Sequence, residues 1–292
     1  MRRVLFVIFG VLGVLILCLV VAVLGVYFNA QRVINARTDR PAPNLQIQST
    51  PERVARGRFL ISTWSACIDC HASNRENPAF LLDGGKLEAG PLGTFFAPNL
   101  TSGGPLKDFS DGEVVRAIRE GIGRDGRTLL IMPSSIYRNL SDEDVQSIVA
   151  YLRSQPASNN PTPAHQIGPL GYALIGTGQL PVAPQPPVSN VQAPSRGPTA
   201  AYGEYLTNIA GCRDCHGPKL DGTGQPPGPP PGPSLAVMKE WTEAQFLQTI
   251  RTGKTPSGDA LNPEEMPWQQ FARAPDDDLR ALYLYLKQFF GG

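Results

Sequence analysis

Two pentapeptides of the form Cys-x-x-Cys-His constrain the fold of this chain more than any other feature of its sequence. They run from Cys67 to His71 and from Cys212 to His216. Two thiols three positions apart can each bond to one vinyl group of a porphyrin, and the histidine that follows can reach the iron from the same side. The sequence therefore predicts two covalently bound haem c groups, one in each half of the chain. The residues predicted to hold them are Cys67, Cys70, His71, Cys212, Cys215 and His216.

Paired cysteines have two other common uses, in tetrahedral zinc sites and in redox-active disulfides. A zinc site built from both pairs would leave the adjacent histidines without a role. A thioredoxin-like pair would need a strand and a helix around it, which neither segment has. Both alternatives remain open at this point, although a repeated motif of this kind favours haem.

The second axial ligand of each iron is predicted to be a methionine. Met132 follows His71 by 61 residues and Met266 follows His216 by 50, and a proline comes after each methionine. These separations let the chain cross the porphyrin and return on its far face, whereas Met238 follows His216 by only 22 residues. His/Met ligation fills both axial positions and raises the reduction potential. The alternative is that either methionine is a core residue, because its thioether packs in many surroundings.

The two halves of the chain align with each other, which predicts one fold used twice. Ser110 and Thr242 each begin a capping-box sequence before an amphipathic run. Short helical segments precede the cysteine pairs, at residues 51–63 and 199–209. Near the C-terminal end of each half, apolar residues at i, i+3, i+4 and i+7 predict the buried face of a terminal helix. Little in either unit reads as a strand, so the predicted fold class is all-α. The terminal-helix positions are Val145, Ile148, Val149 and Leu152 in the first half and Leu279, Leu282, Tyr283 and Leu286 in the second.

In this order of elements, both units resemble class I cytochrome c domains. Ala-Pro-Asn-Leu at residues 97–100 and Gly-Pro-Ser-Leu at residues 232–235 stand where that family has its proline loop. The resemblance implies that the carbonyl oxygens of Pro98 and Pro233 accept the proton on the iron-bound histidines, which would orient the imidazole rings. Ordinary turn chemistry is the alternative for both prolines.

The first unit is also similar, over most of residues 55–155, to the haem subunits of membrane-bound sugar and alcohol dehydrogenases. Such subunits usually carry three haem motifs where this chain has two, and Ser134 stands where an aromatic residue often follows Met-Pro. The resemblance implies a redox partner protein: a membrane dehydrogenase, a quinol-oxidising complex, a terminal oxidase or a reaction centre. The similar residues are Gly84–Gly85, Gly93–Thr94, Pro98–Thr101, Arg116–Gly121, Arg124–Arg127, Met132–Pro133 and Leu140–Asp144.

The N-terminus predicts a membrane anchor. Val4 to Phe28 is an almost unbroken apolar run of 25 residues, enough to span a bilayer as a helix. Arg2 and Arg3 precede it, which by the positive-inside rule leaves the N-terminus in the cytoplasm and both haem domains in the periplasm. A cleavable signal peptide is the alternative, but its apolar region is normally shorter and ends in small residues.

The predicted organisation has five parts. A proline-rich linker between the domains is poor in charge and is expected to be a semi-rigid spacer or strap without a core, or else disordered. Its apolar patch at Leu170–Ile175 is expected to pack on a haem domain, and Pro226–Pro233 is expected to form a stiff loop beside the second haem. The parts are a transmembrane anchor (1–28), a tether (29–50), a cytochrome c domain (51–155), the linker (156–198) and a second cytochrome c domain (199–292).

Composition fits an extracytoplasmic electron carrier. The formal net charge of +1 gives no basic stripe for nucleic acid. We predict a dihaem electron-transfer protein that is not itself an enzyme, either a free carrier or a subunit of a dehydrogenase, respiratory or photosynthetic complex. The alternative is a dihaem enzyme of the peroxidase or thiosulfate-oxidising type. Such an enzyme needs an open iron position or a cysteine ligand, and the spare Cys18 lies in the apolar run.

Overall fold

The N-terminal helix projects from the compact part of the chain and touches it near its C-terminal end. The structure is a computed structural model that describes residues 2–76, 79–223 and 231–291. This helix, α1 (Arg2–Ile34), carries the apolar run on exposed side chains. It is long and apolar enough to cross a membrane, because about 20 apolar residues at a rise of about 1.5 Å each cover the hydrocarbon core of a bilayer.

The helices of the first unit begin at side-chain caps. Thr50 accepts the N–H of Arg53 at 3.3 Å, and Ser110 and Glu113 form the predicted capping box. Gly121 ends the middle helix at a φ of +67°, a left-handed conformation that glycine adopts at low cost. The helices of this unit are α2 (Pro51–Thr63), α3 (Cys67–His71), α4 (Asp111–Glu120), α5 (Ser134–Tyr137) and α6 (Asp142–Ser154).

A small antiparallel sheet covers the cysteine motif of the first unit. Its strands are β1 (Gly85–Glu88), β2 (Gly93–Ala97) and β3 (Gln166–Ile167), paired in that order. A Cβ on Gly85 would lie 2.1 Å from the carbonyl oxygen of Cys70, so the hairpin can approach α3 only with glycine there. The sequence did not predict these strands, because they are short and glycine-rich, and only Phe95 in β2 is buried.

The proline-rich segment at residues 156–198 is a strap around the first unit. The side-chain amide of Asn99 donates to the carbonyl oxygens of Ser158 and Asn160, and the segment then adds β3 to the sheet. Farther along, the N–H of Gln185 donates to the carbonyl oxygen of Glu120. The segment also contains α7 (Pro169–Gly176), which packs on α1 and on the β1–β2 hairpin.

The second unit repeats the helices of the first. Thr199 caps its first helix. Thr242 and Gln245 form the second predicted capping box, and the helix that begins there ends at Gly253, which has a φ of +67°. Residues 226–230 of the predicted Pro226–Pro233 loop lie outside the described residues. The helices are α8 (Ala200–Ile209), α9 (Cys212–His216), α10 (Glu243–Thr252), α11 (Trp268–Phe271) and α12 (Asp276–Gly291).

In each unit the first helix crosses the last one at a glycine. A Cβ on Gly57 in α2 would lie 2.0 Å from the carbonyl oxygen of Ser147 in α6. A Cβ on Gly203 in α8 would lie 1.9 Å from the carbonyl oxygen of Ala281 in α12. Both crossings therefore bring backbone against backbone, and they bury the apolar face predicted for the terminal helices. Six of its predicted members are at most 5% exposed (Val145, Ile148, Val149, Leu152, Leu279 and Leu286), Leu282 is 8% exposed and Tyr283 is partly buried.

The two units pack directly against each other. α11 of the second unit contacts α2 of the first, and α5 of the first contacts α8 of the second. α11 is the counterpart of α5, and α8 is the counterpart of α2, so the two contacts join equivalent pairs of helices. Trp64, 1% exposed at the end of α2, stacks on Phe271 of α11 with ring centroids 5.5 Å apart. One hydrophobic cluster runs through both units. Of the two forms expected for the linker, it takes that of a strap and not that of a spacer, because it passes around the first unit and leaves the two units in contact.

Candidate haem-binding sites

Both Cys-x-x-Cys-His motifs form a single helical turn after a left-handed residue. Ala66 precedes α3 at a φ of +49°, and Gly211 precedes α9 at a φ of +70°. One turn of helix places residues three apart on the same face, so the two cysteines of each pair are presented together. The four cysteines are partly buried, and His71 and His216 are each 8% exposed.

Each motif histidine is held by a proline carbonyl, as the resemblance implied. Nδ1 of His71 lies 2.9 Å from the carbonyl oxygen of Pro98. Nδ1 of His216 lies 2.7 Å from the carbonyl oxygen of Pro233. A carbonyl oxygen only accepts, so Nδ1 carries the proton in both rings, and the lone pair of Nε2 is left for another partner. This is the arrangement by which proteins orient a metal-binding imidazole.

The first unit contains a large apolar cleft beside this histidine. Its empty volume is about 1210 Å³, including space open to solvent. The cleft brings together Met132 and His71, which are far apart in the sequence, and the two cysteines of the motif. Aliphatic and aromatic side chains form most of its wall, as a porphyrin face requires. Its lining includes Cys67, Cys70, His71, Phe95, Pro98, Leu106, Ile118, Leu129, Ile131, Met132 and Tyr137.

Burial decides the protonation states at this site. It lowers the pKa of His71, against the opposing hydrogen bond to Pro98, so the ring is neutral at physiological pH, as an iron ligand must be. Burial also raises the pKa of Cys67 to about 12 and that of Cys212 to about 12. A thioredoxin-like pair needs a thiol with a lowered pKa, so both cysteine pairs are poorly suited to disulfide exchange.

Within residues 2–76, 79–223 and 231–291, no three His, Cys, Asp or Glu side chains are placed to hold a metal ion together.

The second unit builds the same methionine turn. The N–H of Trp268 donates to the carbonyl oxygen of Met266 at 2.7 Å, and the N–H of Ser134 donates to that of Met132 at 2.8 Å. Met266 is partly buried against the hydrophobic cluster. A Cβ on Gly253 would lie 2.3 Å from the indole of Trp268. The second unit therefore carries an aromatic ring at the position where the first unit has the smaller Ser134.

Sequence reasoning missed two residues that line the first cleft. His165 was assigned only to the linker, but it lies beside the cleft and accepts the N–H of Phe96 on Nδ1 at 3.2 Å. Tyr137 donates its hydroxyl to the carbonyl oxygen of Ser65, which fixes the chain ahead of Cys67. The internal alignment could have flagged Tyr137, because Phe271 is its counterpart. No signal in the sequence placed His165 there.

The second unit matches a known family of cytochromes. Residues 198–286 match the model of the family described as "Cytochrome C oxidase, cbb3-type, subunit III". The second unit is thus a cytochrome c domain, which confirms the resemblance, the mainly helical fold and the prediction of covalent haem c. A domain of this kind carries electrons through its haem.

Three curated relatives are cytochrome subunits of dehydrogenases. The "Fructose dehydrogenase cytochrome subunit" of Gluconobacter japonicus is 26% identical over 263 residues, covering 80% of this chain and 52% of the relative. The "Gluconate 2-dehydrogenase cytochrome c subunit" of Pantoea cypripedii is 26% identical, covering 82% and 60%. The "Alcohol dehydrogenase (quinone), cytochrome c subunit" of Gluconobacter oxydans (strain 621H) is 25% identical, covering 80% and 54%. The chain thus spans a little over half the length of these relatives.

Proposed function

We propose that this protein is a dihaem c-type cytochrome that passes single electrons between partner proteins at a membrane. Cys67 and Cys70 attach one haem, and Cys212 and Cys215 attach the other. The iron would be held by His71 and Met132 in the first unit, and by His216 and Met266 in the second. The observation that carries this proposal is the repeated histidine geometry, in which Nδ1 meets the carbonyl oxygen of Pro98 in one unit and of Pro233 in the other.

When bound, each haem supplies reversible one-electron exchange at its iron. The chain tunes that exchange. The proline carbonyls hold the two imidazoles in one tautomer and make them stronger donors. The apolar wall of the first cleft would keep water away from a bound haem, and a methionine thioether would favour the ferrous state.

Contacts between the units support electron transfer within one molecule. Burial raises the pKa of Asp69 in the first motif, and the charges of Arg75 and Arg273 oppose that rise. Because Arg273 belongs to the second unit, the first motif faces that unit directly. Burial also raises the pKa of Tyr137, and the carboxylates of Asp69 and Asp214 add to the effect. Tyr137 is therefore within electrostatic reach of both haem motifs.

The apolar helix α1 anchors the protein, with Arg2 and Arg3 on the cytoplasmic side and both haem domains in the periplasm. The electron donor is a membrane-bound dehydrogenase, as the names of the three relatives suggest, and a respiratory complex is the acceptor. The strap and the contact between units hold the two domains together as one electron-transfer module.

The test is to count and identify the haems of the full-length protein purified from membranes. Pyridine haemochrome spectra should give two haem c per chain, and the double change Cys212→Ser and Cys215→Ser should leave one. The Cys18→Ser variant is the matched control, because it removes a cysteine outside both motifs and should keep two. A single haem in the unchanged protein would contradict the proposal. Two haems with a high-spin spectrum and rapid carbon monoxide binding would also contradict it and would favour a dihaem enzyme.

A further inference from the structure

The short helix α7 is apolar on both of its faces. One face, formed by Gly171, Ile175 and Gly176, is buried. The other carries Leu170, which is 44% exposed, and Ala173, which is also exposed. A helix without a polar face is found in a protein core or in contact with lipid, and the exposed side of α7 is covered by no part of the chain that the structure describes.

The buried face of α7 packs on the end of the membrane helix. A Cβ on Gly176 would lie 2.2 Å from the carbonyl oxygen of Val26 in α1. The side-chain amide of Asn29 donates to the carbonyl oxygen of Gly176 at 2.8 Å. On the next turn, Gln31 donates to the hydroxyl of Tyr172 at 3.3 Å. The contact thus covers the stretch of α1 where its apolar run ends and polar residues begin.

Aromatic residues mark the same level. The rings of Tyr27 in α1 and Tyr172 in α7 lie 5.1 Å apart between centroids, and Phe28 beside them is 64% exposed. Tyrosine is enriched where a membrane protein passes from hydrocarbon to headgroups, because its ring is apolar and its hydroxyl is polar. Two tyrosines from different elements therefore meet at the level where the apolar run of α1 ends.

The segment that contains α7 carries no charge over most of its length. Residues 156–195 contain no Asp, Glu, Lys or Arg, although this segment crosses the surface of a protein in which 17% of residues are charged. A surface strap that met only water would gain solubility from charges. An uncharged apolar strap at the end of a membrane helix fits an environment of lipid headgroups and upper acyl chains.

We propose that α7 is a second membrane contact, which lies in the interface of the bilayer and seats the first unit on its surface. Leu170, Ala173 and the partly exposed Leu174 enter the lipid, while the opposite face grips α1. This inference rests on the proposed function in one respect, because it requires α1 to span the membrane.

The contact fixes the first haem site relative to the bilayer. The N–H of Gly168, just before α7, donates to the carbonyl oxygen of Leu92 at 2.9 Å. Leu92 leads into β2, which ends at Ala97 beside Pro98, the residue that holds His71. A short, continuous path of paired backbone therefore joins the membrane contact to the first histidine, and the second unit has no link of this kind among the described residues. The first haem is the one held at a set height above a membrane-bound partner.

The experiment places nitroxide spin labels on the haem-loaded, full-length protein in lipid nanodiscs. Three positions are labelled one at a time: the native Cys18 in α1, Leu170→Cys in α7, and Leu284→Cys in α12. The last two are made in a Cys18→Ala background. Leu284 is the matched control, because it is a leucine with 37% exposure on a helix of the second unit. Collision rates with oxygen, which concentrates in lipid, and with a water-soluble nickel chelate report the depth of each label.

We expect the label at position 170 to lie about 5–10 Å into the boundary between headgroups and acyl chains. The label at Cys18 should be in hydrocarbon, and the label at position 284 should be in water. If position 170 is as accessible to the nickel chelate as position 284 while Cys18 is in lipid, the inference about α7 is wrong and the anchor stands. If Cys18 itself is in water, the proposed anchor is wrong and the inference falls with it.

Discussion

The indole of Trp64 bridges the two units of this protein. It stacks on the ring of Phe271 at an angle of 26° between the ring planes, and its Nε1–H donates to a carboxylate oxygen of Asp278 at 3.1 Å. Trp64 is 1% exposed and Asp278 is 8% exposed. A buried aromatic residue of the first unit thus satisfies a buried carboxylate of the second, which ties the stability of each unit to the other.

Replacing Trp64 should therefore weaken both units at once. We expect Trp64→Ala to lower the free energy of unfolding by about 3–5 kcal/mol, because it leaves a cavity and an unpaired carboxylate. Calorimetry of the haem-loaded protein should show one cooperative transition splitting into two. The control is Trp241→Ala, which removes a partly buried indole within the second unit and should lower stability without splitting the transition. Equal behaviour of the two variants would contradict a bridging role for Trp64.

The two helix crossings give a second prediction. Gly57→Ala and Gly203→Ala should each lower the free energy of unfolding by about 1–3 kcal/mol or more, because a Cβ cannot fit against the facing carbonyl oxygen without moving a helix. Gly291→Ala, at the exposed end of α12 with no atom within 4 Å of its Cβ position, should be neutral or slightly stabilising. Chemical unfolding of the three variants tests this. Tolerance of alanine at residue 57 or 203 would show that the helices can separate without cost.

Much of the local structure could be predicted from the sequence, because it depends on interactions between near neighbours. The capping boxes at Ser110 and Thr242 and the buried positions of α6 all follow from spacing within one helix. The histidine contacts with Pro98 and Pro233 were predicted from a resemblance to a known family, and the geometry agrees with it. Each of these patterns occurs once in each unit, so the chain shows it twice.

What the sequence did not show depends on contacts between distant segments. The hairpin of β1 and β2 forms because Gly85 lets it approach α3. Its sequence lacks the alternation of apolar and polar residues that would predict a strand. The strap was identified as proline-rich, but its path was set by the amide of Asn99 and by the surface of α1. The contact between Trp64 and Phe271 joins residues in different units, which an alignment of one unit with the other cannot reveal.

The methionines give a third prediction. Met132→Ala should open the first iron, lower its potential and remove half of the near-infrared sulfur-to-iron absorption of the oxidised protein, because the lost thioether favours ferrous iron. Met266→Ala should do the same to the second haem. Potentiometric titration with optical detection measures both effects.

The control for these variants is Met238→Leu. Met238 is a core methionine, 2% exposed, and the sequence excluded it as a ligand. Its replacement by a residue of similar volume should cost less than about 1.5 kcal/mol and leave the near-infrared absorption intact. Loss of that absorption in Met238→Leu, or its full retention in Met132→Ala, would mean that the ligands are assigned wrongly.

The final prediction concerns a buried ion pair beside the contact between units. Both guanidinium nitrogens of Arg56 that face Asp144 lie 2.8 Å from its carboxylate oxygens, and Tyr205 of the second unit donates its hydroxyl to the same carboxylate at 2.6 Å. The side chain of Asp144 is 2% exposed. Burial lowers the pKa of Arg56, but the hydrogen bond and charge of Asp144 raise it by more, so the guanidinium stays charged.

Removing only the cation should therefore cost more than removing the whole pair. We expect Arg56→Met to lower the free energy of unfolding by about 3–5 kcal/mol, because it leaves the buried carboxylate with only Arg196, half exposed and 3.8 Å away, as a counter-charge. The double change Arg56→Met with Asp144→Leu should restore most of that loss. Chemical unfolding of the single and double variants measures both losses. An additive loss in the double variant would show that Arg56 and Asp144 do not stabilise the protein as a pair.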